Sequence, residues 1–113
     1  MTDEQFIEKL YAETRALTAG VDTRKGESVD TSQLREGDLI LNYDMLIRLG
    51  ERHVVERVDR YAEYGPVYWF VGTVENADKI HAMGVNHVTC GLLRGDEWTV
   101  QGNRLASWWR ISE

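Results

Sequence analysis

Apolar side chains recur at two different periods along this chain of 113 residues. Near the start the period is helical. Phe6, Ile7, Leu10, Tyr11, Thr14 and Leu17 fall on one face of a helix spanning residues 2–19. Thr2 and Gln5 stand in capping-box positions, and Asp3 and Glu4 lie at the positive end of the helix dipole. Gly20 supplies a stop. Two packings suit such a helix: against its own domain, or as an arm on a second chain.

Residues 21–28 are polar, carry Arg24-Lys25-Gly26, and read as a connection. From Val29 onward the period shortens to two. Asp30, Thr31 and Ser32 make a turn, Leu34 is an apolar plug beneath it, and Gly37-Asp38 launches a strand, Leu39-Ile40-Leu41. Asn42, Tyr43 and Asp44 turn the chain. Met45, Ile47 and Leu49 alternate with Leu46 and Arg48 up to a break at Gly50-Glu51.

Residues 54–74 hold the densest strand signal. Val54, Val58, Tyr61, Val67, Trp69 and Val71 are β-branched or aromatic, and Gly65-Pro66 divides the run into a hairpin. In the first arm, residues 53–61, Val54, Glu56, Val58 and Arg60 point one way; His53, Val55, Arg57, Asp59 and Tyr61 point the other. In the second, Val67, Trp69 and Val71 share one face, and Tyr68, Phe70 and Gly72 the other. Both faces are apolar. That pattern means burial on both sides, or an aromatic face offered to a partner.

Residues 76–83 form a short helix with Asn76 as N-cap, Ala77, Ile80 and Met83 inward, and Gly84 as its stop. Val85, Val88, Leu92 and Leu93 return to the sheet. Gly95-Asp96 makes a hairpin turn into residues 98–101, and residues 108–111 are a last strand placed to close a barrel. The expected architecture is α+β, mostly β. An N-terminal helix and linker (residues 1–28) precede a small antiparallel SH3-like or OB-like barrel with one short inserted helix (residues 29–113).

Composition narrows the partners. The net charge of -6 lacks the cationic excess of a non-specific nucleic-acid binder. Ten of the 13 cations are Arg, which favours fixed, bidentate or stacked contacts, as it also would in a GC-rich genome. The lone Cys90 forms no internal disulfide, residues 1–12 are unlike a secretory leader, and no apolar run is long enough to span a bilayer. A cytoplasmic setting without a membrane partner is expected.

The candidate chemistry is sparse. His81, His87 and Cys90 are zinc-ligand types, but His-x5-His-x2-Cys matches no common structural spacing. Cys90 reads as a small buried hydrophobe. Asp38 and Asp96 follow Gly at turns; Asp44, Glu56 and Asp59 lie near Arg48, Arg57 and Arg60 and suit surface ion pairs. No phosphate loop, nucleophile elbow or His-Glu-x-x-His occurs. These motifs assign no catalytic residue, metal or cofactor.

Binding has more to stand on. Arg48, Arg52, Arg57 and Arg60 cluster with Tyr61, Tyr64, Tyr68 and Trp69, a mixture used both for protein hot spots and for stacking single-stranded nucleic acid. Glu51, Glu56, Asp59 and Glu63 offset that charge. A second dense feature joins Trp98, Gln101, Gly102 and Asn103 to Trp108 and Trp109. The candidate binding residues are Arg57, Tyr61, Tyr64, Tyr68, Trp69, Gln101, Asn103 and Trp108.

Four stretches carry a family resemblance: Leu34-Arg35-Glu36-Gly37-Asp38-Leu39-Ile40, Val67-Tyr68-Trp69, Gly72-Thr73-Val74-Glu75-Asn76 and Trp98-Thr99-Val100-Gln101-Gly102-Asn103. In that order they resemble small uncharacterised proteins of actinobacterial bacteriophages, over about residues 29–111. The resemblance implies expression in a bacterial host cell and a non-structural accessory role; it brings no activity and no catalytic residue. The leading expectation is a non-enzymatic protein-interaction module that binds a host factor or itself, as in a homodimer. The alternatives are a single-stranded nucleic-acid-binding barrel and a small metal-dependent hydrolase.

Overall fold

Reciprocal bonds between Thr2 and Gln5 open the first helix. The Thr2 N–H donates to Gln5 Oε1 at 3.0 Å, and the Gln5 N–H to Thr2 Oγ1 at 3.2 Å. This is a computed structural model describing residues 2–113; the side chain of Thr14, expected on the apolar helix face, lies outside what is described. Helix α1 covers Asp3–Leu17, and the turn after it ends at Gly20 with φ 93°. Among its described residues, Leu17 at its end enters the core. Phe6, Ile7, Leu10 and Tyr11 remain exposed.

Six strands follow: β1 (Gly26–Asp30), β2 (Leu39–Asn42), β3 (Met45–Val55), β4 (Val67–Val74), β5 (Glu97–Gly102) and β6 (Ser107–Ile111). All neighbours are antiparallel, in the order β1-β6-β2-β3-β4-β5. The sheet is not closed. Strand β6, expected at a closing edge, lies between β1 and β2, and the two edges are β1 and β5. Gly26, Glu27 and Ser28, expected in the connection, already pair with Ile111, Arg110 and Trp109.

Alternation sorts the side chains onto two faces. Ile40, Met45, Ile47, Leu49, Phe70, Val74 and Val100 enter the main core, joined by Leu34 as the plug and by Leu17 and Ile80 from the helices. Leu39, Leu46 and Ile111 build a smaller cluster with Val21, Leu41 and Trp109. The turn before β2 follows expectation: Gly37 has φ 88°, and Asp38 Oδ2 accepts the Arg35 N–H at 2.9 Å.

Three local expectations change. Gly50-Glu51 is a bulge inside β3, where the register shifts between Leu49 and Arg52, and not a break. A Cβ on Gly50 would stand 2.6 Å from the Val71 carbonyl oxygen, so the close strand approach requires glycine. The first hairpin arm therefore runs over Met45–Val55, and residues 56–66 form a loop with a 3-10 turn at Ala62–Tyr64. Two short helices follow β4, α2 (Ala77–Ala82) and α3 (Val88–Leu92). Val88 and Leu92 thus stand on a helix and not in the sheet, and Gly95-Asp96 joins that helix to β5.

Asn76 is the N-cap residue of α2, as expected, but its side chain makes no capping bond to the helix. Its Oδ1 accepts the Leu46 N–H at 3.0 Å, while Nδ2 donates to the Leu17 and Asp44 carbonyls at 2.6 and 2.8 Å. One buried amide thereby ties α1, the β2–β3 turn and β3 together. Among the described residues, no helix is long and apolar enough to cross a membrane.

Candidate functional site

The outer face of strands β3, β4 and β5 is built by register. His53 pairs with Trp69 and Val55 with Val67; on the other side of β4, Trp69 pairs with Gln101 and Val71 with Thr99. Side chains directly opposite share a face, so His53, Trp69 and Gln101 form one row across three strands. The His53 and Trp69 rings stack at 3.9 Å with 14° between their planes. Phe70, Gly72 and Val74 occupy the opposite, buried face. Of the two readings of this doubly apolar strand, burial on both sides does not hold: on the outer face Val71 is exposed and Trp69 half-buried.

Where β3 ends, the loop folds over this face and leaves an open cleft of about 400 Å³. Val55, Val67, Trp69 and Gln101 line it from the strands, and residues 56–59 line it from the loop. Val58 is 96% exposed; strand alternation placed it on one face with Val54, Glu56 and Arg60. It sits in a loop, where the two-residue period no longer applies.

The loop is held by Asp59. Arg57 donates to both Asp59 carboxylate oxygens, at 3.3 and 2.7 Å, and the Tyr61 N–H donates to Oδ1 at 2.9 Å. The Arg57 bond and, after it, the Tyr61 N–H hold the Asp59 carboxyl below its ordinary value. Arg57 also lies over the Tyr61 ring at 5.2 Å, with Arg60 over the same ring at 4.8 Å and Tyr64 stacked beyond it at 6.4 Å.

The eight candidate residues therefore separate. Arg57, Trp69 and Gln101 line the cleft together. Tyr61 and Tyr64 form a ring pair on the adjoining loop. Tyr68, Asn103 and Trp108 have other occupations. Tyr68 packs on the core beneath the Arg52 guanidinium at 4.4 Å. Asn103 Oδ1 accepts the Leu105 N–H at 2.9 Å in a turn. Trp108 packs on the core and donates its indole N–H to Thr31 Oγ1 at 2.9 Å. Val55, Val58 and Val67 complete the cleft and were absent from the sequence-derived set. The one signal for Val58 is its isolation among Glu56, Arg57, Asp59 and Arg60.

The expected ion pairs are redistributed. Arg57–Asp59 forms, while Arg48 pairs with Glu75 and Glu113 and Arg110 with Glu27 and Asp38. Asp44 faces His87, with 3.5 Å between Oδ2 and Nε2. His81 donates from Nε2 to the Gly95 carbonyl at 2.7 Å, and Cys90 is buried. Among the described residues, no three His, Cys, Asp or Glu side chains converge as a metal-ligand set. No protein-family model matches the chain, and no curated protein or solved structure is significantly similar to it.

Proposed function

We propose that this chain is a non-enzymatic interaction module that holds a segment of another protein against the outer face of its long hairpin. The observation that carries the reading is the cleft formed by Trp69, Val55, Val67, Arg57 and Gln101. A half-buried tryptophan beside an arginine is the composition of a protein hot spot. Gln101 adds an amide able to donate to and accept from a partner backbone. Glu56 and Asp59 put negative charge on the same rim, which suits a mixed-polarity protein surface better than a polyanion.

The remaining parts of the reading follow from this. The resemblance to actinobacterial phage proteins makes a host factor in the bacterial cytoplasm the partner sought. The likeness to an SH3-like or OB-like barrel rests on the curl of the sheet. A Cβ on Gly102, at the end of β5, would meet Thr31, the residue just after β1, so the two edge strands approach at one end. His87 offers little as a base, since Nε2 faces Asp44 and Nδ1 is buried with no partner among the described residues.

The test is retention from lysate of an actinobacterial host by immobilised wild-type, Trp69→Ser and Arg57→Ala chains, each checked for fold by circular dichroism. The expected result is a protein retained by the wild type and lost from both variants. Equal retention by all three chains would remove the cleft from the account. Single-stranded nucleic acid is a second reading, favoured by Arg57 and Arg60 over Tyr61. It requires oligonucleotide retention at low salt that Tyr61→Ala abolishes.

A further inference from the structure

The apolar face of α1 is the largest feature that the hairpin does not explain. Phe6 is 53% exposed and Tyr11 62%, and Ile7 between them is also exposed. An isolated helix of about this length is marginal in water, and helices in proteins draw most of their stability from packing an apolar face. Among the described residues of α1, Leu17 at its end is the one in the core, and its carbonyl accepts from Asn76. Val85, Val88 and Leu92 are exposed on and before α3. Val88 reaches the side of α1, where it lines a cleft of about 440 Å³ with Leu10 and Met83, and with the polar Glu13, Asp44, Asn86 and His87.

We infer that this surface is the interface of a homodimer, in which the α1 helices of two copies pack antiparallel and each covers the α3 surface of the other. Area supports a second copy. Phe6, Ile7, Tyr11, Val85, Val88 and Leu92 together present roughly 600–700 Å² of surface per chain, close to the ~800 Å² per partner of a stable interface.

Charge supports the antiparallel arrangement. Glu4 and Arg15 are about three turns apart and therefore share one flank of the helix, beside the apolar stripe. A twofold axis across an antiparallel pair sets that flank against itself with its ends exchanged, so Glu4 of each copy meets Arg15 of the other. A parallel pair would set that flank against the opposite flank of the partner and would not bring Glu4 to Arg15.

The site lies far from the hairpin cleft and does not depend on the function proposed for it. Helix α1 is tied to the start of β3 through Asn76, whereas the cleft is at the end of that strand, about 33 Å away at the usual rise per residue. A dimer joined at α1 therefore leaves both clefts open and presents them as a pair.

Sedimentation equilibrium on the full chain tests the inference, with wild type, Phe6→Ser, Glu4→Arg, Arg15→Glu and the Glu4→Arg/Arg15→Glu double variant. The expected wild-type mass is twice the 13.0 kDa of one chain. Phe6→Ser gives monomer, each single charge reversal weakens association about tenfold, and the double reversal restores it. Circular dichroism and denaturant midpoint confirm that the globular part of each variant remains folded. A wild-type monomer at tens of micromolar overturns the inference, as does a dimer indifferent to Phe6→Ser. A double reversal that fails to recover association also overturns it.

Discussion

Asn76 satisfies three backbone groups with one side chain, and that makes it the most exacting residue in the fold. An alanine there strands the Leu46 N–H and the Leu17 and Asp44 carbonyls in a buried setting. Asn76→Ala is expected to cost about 2–4 kcal/mol, read as a lower urea midpoint at unchanged slope. The sequence marked Asn76 as a helix N-cap because its type and its place before Ala77 both fit; a buried amide between three segments leaves no local signature. Asp59 governs the cleft loop in a different way. Its carboxyl lies below the ordinary value of 3.8 because Arg57 and the Tyr61 N–H bond the charged form. The order it gives the loop is therefore fully present above 3.8 and is lost as pH falls through the depressed midpoint. An NMR titration should place the Asp59 midpoint below that value, and Arg57→Ala should move it upward. An unchanged midpoint in the variant would show that the Arg57 contact does not hold the loop.

Elements differed in legibility according to how local their causes are. Helix α1 was readable because its cap, its period and its glycine stop all lie within the element. The plug, turn and strand from Leu34 to Leu41 were readable for the same reason. Strand β3 was misjudged at both features that depend on its neighbour. Gly50 resembles a breaker in the sequence, yet it is the close approach of β4 that demands it. Residues 56–61 keep the alternating pattern of a strand, but they have no paired neighbour in the ladder, which ends at Val55–Val67. Helix α3 was missed because Val88 and Leu92 read equally well as strand in a segment of five residues, too short for periodicity to decide.

At the scale of the molecule, the long hairpin divides its labour between its faces. Phe70, Val74 and Val100 hold the core, while Trp69, Val55 and Val67 remain at the outer surface, and that division decides which rings are available to a partner. Three of the eight candidate residues reach the cleft because Arg57, Trp69 and Gln101 come from three segments that only the sheet register brings together. Tyr68 and Trp108 were chosen for their ring type, and packing turned them inward. On the proposed reading, the two surfaces, one at each end of β3, make the chain a connector: α1 for a second copy, the hairpin for a protein of another kind. The most direct test of that central role is a proton–nitrogen NMR titration of the labelled chain with the protein it retains. The account predicts shifts concentrated at the Trp69 indole, the Gln101 amide and the backbone of residues 55–59. Shifts concentrated elsewhere, with Trp69 and Gln101 unmoved at saturation, would contradict it.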